Sequence, residues 1–284
     1  MTMGAYKLMG QDELAMKLIK DRMNGFKDIV LLNYLAASIC LESNEAETAI
    51  AMLSNISPDK LETPFPPIYY LTGRAKLFRL DPDVQIPMKR FLKESDGPDF
   101  KKATYYNLAC SALTSGKTDE YTNYMKQVKV NGREFSNRDI EAQYESESVA
   151  IPNINLMRAG LLIRGGYAQR AWSELIKVQN VNGLTIEEQV RFYFLSGEYN
   201  RLIIKPVEAE QNYLKAINLG NAEGLDTAHE AIIQLGLMKE KIGSKSEAEK
   251  HYQQCLRFKD NNSPYFDLYN NKAKAGLIRL SQSS

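Results

Sequence analysis

Apolar positions along this chain recur at the spacing of helices rather than alternating as in strands, and a small residue returns at one place in the pattern. Ala37, Gly73, Ala109, Ala159, Gly197 and Gly236 each fall midway along the first helix of an expected helix pair, at spacings of 36, 36, 50, 38 and 39 residues. One structural unit repeated with loops of variable length produces such spacings. Over 105–116, Tyr105, Leu108, Ala109 and Ala112 share one helical face, and Gly116 supplies the left-handed conformation that ends a helix. A second helix follows from Asp119 to Val128, with Tyr121, Met125 and Val128 inward. The pattern returns in Ile232, Leu235, Gly236, Gly243, Ala248, Tyr252 and Cys255, and again in Tyr193, Gly197, Ala209, Tyr213 and Ala216. In the latter, Pro206 opens a helix at a position whose N–H needs no partner. The small residues let paired helices approach closely, where a branched side chain would force them apart. In this register Lys239 is a surface position.

The expected organisation is a half repeat at 11–24, helix pairs at 28–57, 66–94, 101–129, 153–180, 186–219 and 226–258, and a capping helix at 264–281, all within a single array over 1–284. Residues 130–152 form an insertion with its own short helix, where Ser136 and Asp139 resemble a capping box with Asp in place of Glu. The capping helix turns Ala273, Leu277 and Leu280 towards the stack and Lys272, Lys274 and Arg279 to water. Pro64, Phe65, Pro66 and Pro67 run straight into an apolar helical pattern and read as a helix entry.

These stretches resemble the tetratricopeptide repeat (TPR) family, whose unit of about 34 residues places a large residue, Leu, Gly or Ala, a turn Gly, Ala, an aromatic and Ala at set offsets. The resemblance covers most of 11–260 and departs from the pattern where Tyr121 replaces a small residue and where 74–93 lacks a small second-helix position. More loosely, Gln234, Leu235 and Gly236 followed by 271–277 look like the C-terminal part of longer bacterial TPR proteins of unassigned role. The resemblance implies an all-α, right-handed superhelical solenoid of helix-turn-helix repeats that binds proteins.

Charge and composition narrow the partners. Hydrophobic residues are 44% and charged residues 25% of the chain, as in packed globular proteins. A net charge of +1 provides no basic field for nucleic acid or an anionic membrane. The longest uncharged apolar stretch, 29–41, has 13 residues and is too short to span a bilayer. Met1 to Gly10 lacks the basic and apolar parts of an export signal. Opening on half a repeat points to a cropped or unusual start, so the expected compartment is the cytoplasm as the chain stands and the cell envelope if an export signal has been lost. Cys40 and Cys255 take core-facing positions, whereas Cys110 lies on the inner-surface face and is the more reachable.

Catalytic patterns fail individually. Ser115, Gly116, Lys117 and Thr118 look like the end of a phosphate-binding loop, but the Gly required five residues before Gly116 is Ser111, and the preceding segment is helical. His229 and His251 have no Cys or His at ligand spacing, and His251 is placed on a helix surface. No enzyme activity, metal or cofactor is expected. In the family the first helix of each pair lines the concave face, with positions three before and one after the small residue pointing into it. Here these carry Tyr34, Tyr70, Tyr106 and Phe194, and Arg74, while Asn107 stands two before. The three tyrosines, 36 residues apart, form a ladder suited to a protein or peptide, because Tyr joins apolar area to a polar tip. The bland alternative is that they are core. The clamp by which one subset of the family holds a C-terminal carboxylate corresponds here to Tyr70, Arg74, Asn107, Asn153 and Met157, of which only Asn107 fits. The expected function is a non-catalytic protein- or peptide-binding scaffold. Its alternatives are a structural spacer or regulatory arm, and a small-molecule or glycan cleft; oligomeric state is left open.

Overall fold

The computed structural model describes residues 12–22, 25, 29–148, 150–259 and 261–282. Met1 to Gly10, read above for an export signal, lies outside them, as do Gln11, Met23 and Asn24 of the expected half repeat. The regular structure of the described residues is helical. In chain order the helices are α1 (Asp12–Arg22), α2 (Val30–Glu42), α3 (Ala46–Ser54), α4 (Pro67–Arg79), α5 (Gln85–Glu94), α6 (Lys101–Thr114), α7 (Thr118–Val130) and α8 (Asn137–Glu147). They continue with α9 (Ile154–Arg164), α10 (Ala168–Leu175), α11 (Ile186–Leu202), α12 (Pro206–Gly220), α13 (Asp226–Lys241), α14 (Lys245–Leu256) and α15 (Pro264–Gln282). None of the described helices is long and apolar enough to cross a membrane.

The chain packs into two compact units, one of Met1–Ala150 with Gly160–Tyr167 and one of Ile151–Ala159 with Ala168–Ser284. In the first, α2 pairs with α3, α4 with α5 and α6 with α7, and the first helices α2, α4 and α6 also touch in succession. The inserted helix α8 lies against α6 and α7. In the second, α11 pairs with α12 and α13 with α14, while α15 packs on both α13 and α14.

One local motif recurs in every hairpin. Asn44, Leu80, Gly116, Gly166, Ile204 and Gly243 all have a φ between 59° and 82°, and each stands seven residues after one of the six small positions. The residue that follows donates its N–H to the carbonyl five residues earlier, from Glu45 to Cys40 (2.9 Å), Asp81 to Lys76 (3.0 Å), Lys117 to Ala112 (2.9 Å), Tyr167 to Leu162 (2.9 Å), Lys205 to Asn200 (2.8 Å) and Ser244 to Lys239 (3.0 Å). This is the helix-ending motif that satisfies otherwise orphaned carbonyls. Three of the six turns use a residue other than Gly, and Ile204 is the costliest, since its branched Cβ crowds the left-handed conformation. Its side chain is also 86% exposed and so contributes no packing in return. Replacing Ile204 with Gly should therefore raise stability by about 1 kcal/mol. A lower denaturant midpoint for that variant would contradict the turn assignment.

The small positions are contact points. A Cβ added at Gly197 would stand 2.6 Å from the Tyr213 ring, one at Gly236 would stand 2.5 Å from the Tyr252 ring, and one at Gly73 would stand 2.6 Å from Cε of Met88. Ala37, Ala109 and Ala159 are fully buried. The second helices thus present a large residue to a gap left by the first, which is the reason the spacing is legible in the sequence.

Several positions differ from expectation. Lys239 is buried, not a surface residue, because Nζ pairs with Glu210 (2.8 Å) and Glu247 (2.9 Å). Arg279, expected in water, reaches Glu240 with both Nε (2.7 Å) and Nη2 (2.8 Å). Cys110 is as buried as the other cysteines, and burial pushes the Cys40 and Cys255 thiols up to about 12. At Ser136, Oγ accepts from the N–H of Asp139 (3.2 Å), but the Asp139 carboxylate does not return to the cap backbone. It accepts instead from the backbone N–H groups of Phe100 (2.7 Å) and Ala103 (3.0 Å), capping the start of α6 from another helix.

Both histidines are desolvated. His229 is fully buried, with Nε2 3.1 Å from the Cys255 carbonyl and its ring stacked on Phe258 at 4.2 Å, and His251, expected at a surface, is half-buried. Burial lowers the pKa of each below the 6.5 of an exposed ring. As pH falls below about 6.5 the unfolded chain takes up protons that the folded chain refuses, so stability present above that pH is lost until the buried rings themselves titrate. Denaturant midpoints should fall between about pH 7 and about pH 5, and replacing both residues with Gln should flatten that slope. A wild-type midpoint constant over the range would show that neither ring is desolvated.

Candidate functional site

The residues singled out in the first unit lie on α2, α4 and α6, whose successive contact brings the first helices side by side. Tyr34 on α2 is half-buried and meets Phe65 edge-on at 5.0 Å. Tyr70 on α4 is only 3% exposed, stacked on Phe100 at 4.6 Å and tilted against Phe91 at 5.6 Å. Tyr106 and Asn107 on α6 are half-buried. In the second unit Phe194 is buried against Tyr213, with centroids 6.0 Å apart. A continuous exposed ladder is therefore not what these side chains form: Tyr70 and Phe194 belong to the packing, and Tyr34 and Tyr106 keep part of their surface open.

The polar pair is different. The Arg74 guanidinium lies 5.8 Å from the Tyr70 ring centroid and 5.5 Å from that of Phe78. Among the described residues no carboxylate stands within ion-pair distance of it. Burial pushes its pKa down, the phenol of Tyr70 counteracts this, and like charges on Arg138 and Arg164 push the same way as burial. Asn107 Nδ2 is buried and has no hydrogen-bond partner among the described residues. The Asn107 amide donor is thus left unsatisfied, a costly arrangement for a purely structural side chain. Tyr34 titrates above the usual phenol range, mainly through burial and then through Tyr70, with Arg74 opposing.

Arg138 and Arg164 were not singled out as site residues in the sequence, and Asp139 was read there only as part of a capping pattern. A cue existed for Asp139 in the capping pattern, whereas nothing local marks the two arginines, which reach α4 only through the fold. A separate open depression of about 360 Å³ is lined by Gln85, Lys89, Lys117, Glu120, Asn123 and Tyr124, and includes none of the predicted residues. In it Lys117 is paired with Glu120 at 3.0 Å. In the second unit, Trp172 stacks on Tyr199 at 4.9 Å with 40% of its surface exposed. Among the described residues no group of three His, Cys, Asp or Glu side chains is placed to hold a metal ion. What the Arg74 and Asn107 region offers chemically is hydrogen-bond donation and aromatic surface.

Sequential helix pairs with a repeated small-residue contact and a repeated turn define an all-helical protein of the helical-repeat kind. A solved structure, the C-terminal part of a TPR repeat-containing protein from Cytophaga hutchinsonii, is similar to this chain at 14% identity over 86% of this chain and 99% of that one, with a TM-score of 0.35. No protein-family model and no curated protein matches the chain.

Proposed function

We propose that the chain is a TPR-like scaffold without chemistry of its own, which binds a protein or peptide along the exposed faces of its first helices. The observation that carries this reading is the unsatisfied buried donor of Asn107, on a helix that touches the one carrying Arg74. A folded chain rarely leaves buried donors unpaired without a role for them. A peptide backbone, with a carbonyl every residue, satisfies such donors, and the open parts of Tyr34 and Tyr106 provide apolar area beside them.

Asn107 separates binding from packing. Because its Nδ2 is unpaired, replacing Asn107 with Ala should leave stability unchanged or raise it slightly, while the double change Tyr34→Ala and Asn107→Ala should reduce partner capture from the native host. Capture is followed with the full chain and checked by melting curves. Undiminished capture by a well-folded double variant would sink the groove reading. The second reading, a structural spacer, is favoured by the burial of Tyr70 and Phe194. It expects no captured partner.

A further inference from the structure

Three of the six turns meet at one place in the first unit. Asn44, Leu80 and Gly166 are the left-handed residues that follow α2, α4 and α9, and Gly166 lies in the stretch Gly160–Tyr167 that belongs to this unit. In a simple helical stack each hairpin touches only its neighbours. Here the end of α9 is bonded to the turn after α2. Asn44 Nδ2 donates to the Ile163 carbonyl, 119 positions on, at 3.2 Å and to the Arg164 carbonyl at 3.4 Å. The Ala46 N–H, one of the donors that the start of α3 leaves without a partner inside the helix, donates to the Gly165 carbonyl at 3.3 Å.

The sequence is fitted to this contact. A Cβ at Gly166 would overlap the Asn44 carbonyl oxygen, and one at Gly165 would stand 2.9 Å from the Phe78 carbonyl oxygen at the end of α4. Gly116 and Gly243 share the positive φ of Gly166, yet an added Cβ there would meet nothing within 4 Å. Turn conformation alone accounts for Gly116 and Gly243, whereas Gly165 and Gly166 also answer to a backbone laid against them. Side chains join the same three turns. Tyr167 Oη donates to Glu47 (2.8 Å), Arg79 pairs with Glu47 (3.4 Å), and Arg79 holds Asp81 through Nε (2.8 Å) and Nη2 (2.6 Å). The bonds of Tyr167 and Arg79 to Glu47, and of Asn44 to the Arg164 carbonyl, are exposed to water, and such bonds open before a buried core does. Leu161, Leu162 and Ile163 are buried just before the turn, so α9 itself stays anchored. Arg164 acts electrostatically on Arg74, which puts the docked turn within reach of the α4 face described above.

We propose that residues 165–167 are an intramolecular latch. Closed, it fastens the turn after α9 to those after α2 and α4. Open, it frees the ends of these first helices while α2, α4 and α9 stay folded, and so gates the face to which a partner binds. Only the gating role rests on the scaffold reading above. A partner that requires the open form binds more weakly in proportion to the fraction of chains that are open.

Hydrogen exchange of the full chain, followed by NMR, tests the latch without any partner. The Ala46 amide reports opening, and amides in the middle of α2 and α4 report unfolding. In the unmodified chain Ala46 should exchange faster than those core amides. Tyr167→Phe should speed Ala46 by at least about threefold and leave the core amides and the melting curve unchanged. Gly166→Ala should speed it by at least about tenfold and melt below Gly116→Ala, which carries the cost of the positive φ alone. If Gly166→Ala does not fold, Tyr167→Phe decides. Ala46 exchanging at the rate of the core amides, and moving only with them, would make the contact a fixed part of the fold and overturn the latch. Ala46 unmoved by Gly166→Ala would show that the turns are not in contact, with the same consequence. Tyr167→Phe should also capture more partner from the native host than the unmodified chain does. Equal capture would remove the gate and leave a latch without a binding role, whereas no capture by either would sink the scaffold reading and leave the exchange result standing.

Discussion

Removal of α15 is expected to unfold the last hairpin of the second unit. Its covering role is specific: a Cβ added at Gly236 or at Gly276 would stand 2.5 Å or 2.3 Å from the Tyr252 ring, so that ring is held between α13 and α15. The same helix covers His229, whose ring lies 5.5 Å from that of Phe266 and 5.2 Å from that of Tyr269. It also supplies Arg279, without which Glu240 keeps only the Tyr252 hydroxyl among these partners. Burial alone would raise the Glu240 pKa, and it is the bonds from Arg279 and Tyr252 that bring it below the usual carboxylate range. Fully burying one large side chain contributes roughly 1.5–3 kcal/mol. Exposing Tyr252 and His229 and losing Tyr269 together should cost roughly 5 kcal/mol or more, which approaches the entire stability of many domains. Thermal melting of a chain ending at residue 262 should show an early transition, and the share of the acid sensitivity due to His229 should disappear as its ring becomes hydrated. An unchanged melting curve would show that α15 covers nothing essential.

Tyr70→Ala is expected to cost about 3–5 kcal/mol, whereas Tyr34→Ala and Tyr106→Ala should each cost about 1–2 kcal/mol. The three tyrosines occupy the same place in successive repeats, but only Tyr70 is enclosed, by Phe91 and Phe100. Tyr70→Phe retains the stacked ring and should be nearly neutral, separating the ring's contribution from that of the hydroxyl. Denaturant midpoints on the four variants supply the comparison. Similar losses at all three alanine variants would mean that Tyr70 is no more deeply packed than its counterparts.

The helical pairing was legible because close contact between paired helices demands a small residue, and that demand is written at one position per pair. The turns were only partly legible. Gly116 and Gly243 announce a left-handed residue and Asn44 tolerates that conformation, whereas Leu80 and Ile204 adopt it with side chains that do not favour it. There the carbonyls at the helix end and the packing of the following helix impose the turn, and packing outweighs a local preference of about 1–2 kcal/mol.

The candidate site divides along the same line. Periodicity in the chain identified the first helices, because their faces depend on residues a few positions apart, and the resemblance to the repeat family implied that Tyr34, Tyr70, Tyr106, Arg74 and Asn107 share one of those faces. Which of these side chains stays open was decided by residues far away: Phe91 and Phe100 close over Tyr70, and Arg138 and Arg164, 64 and 90 positions beyond Arg74, bring it like charge. A sequence pattern reports that a face is apolar or polar. The neighbour that covers or charges that face is chosen by tertiary packing, since burial and electrostatics depend on distance in space rather than along the chain.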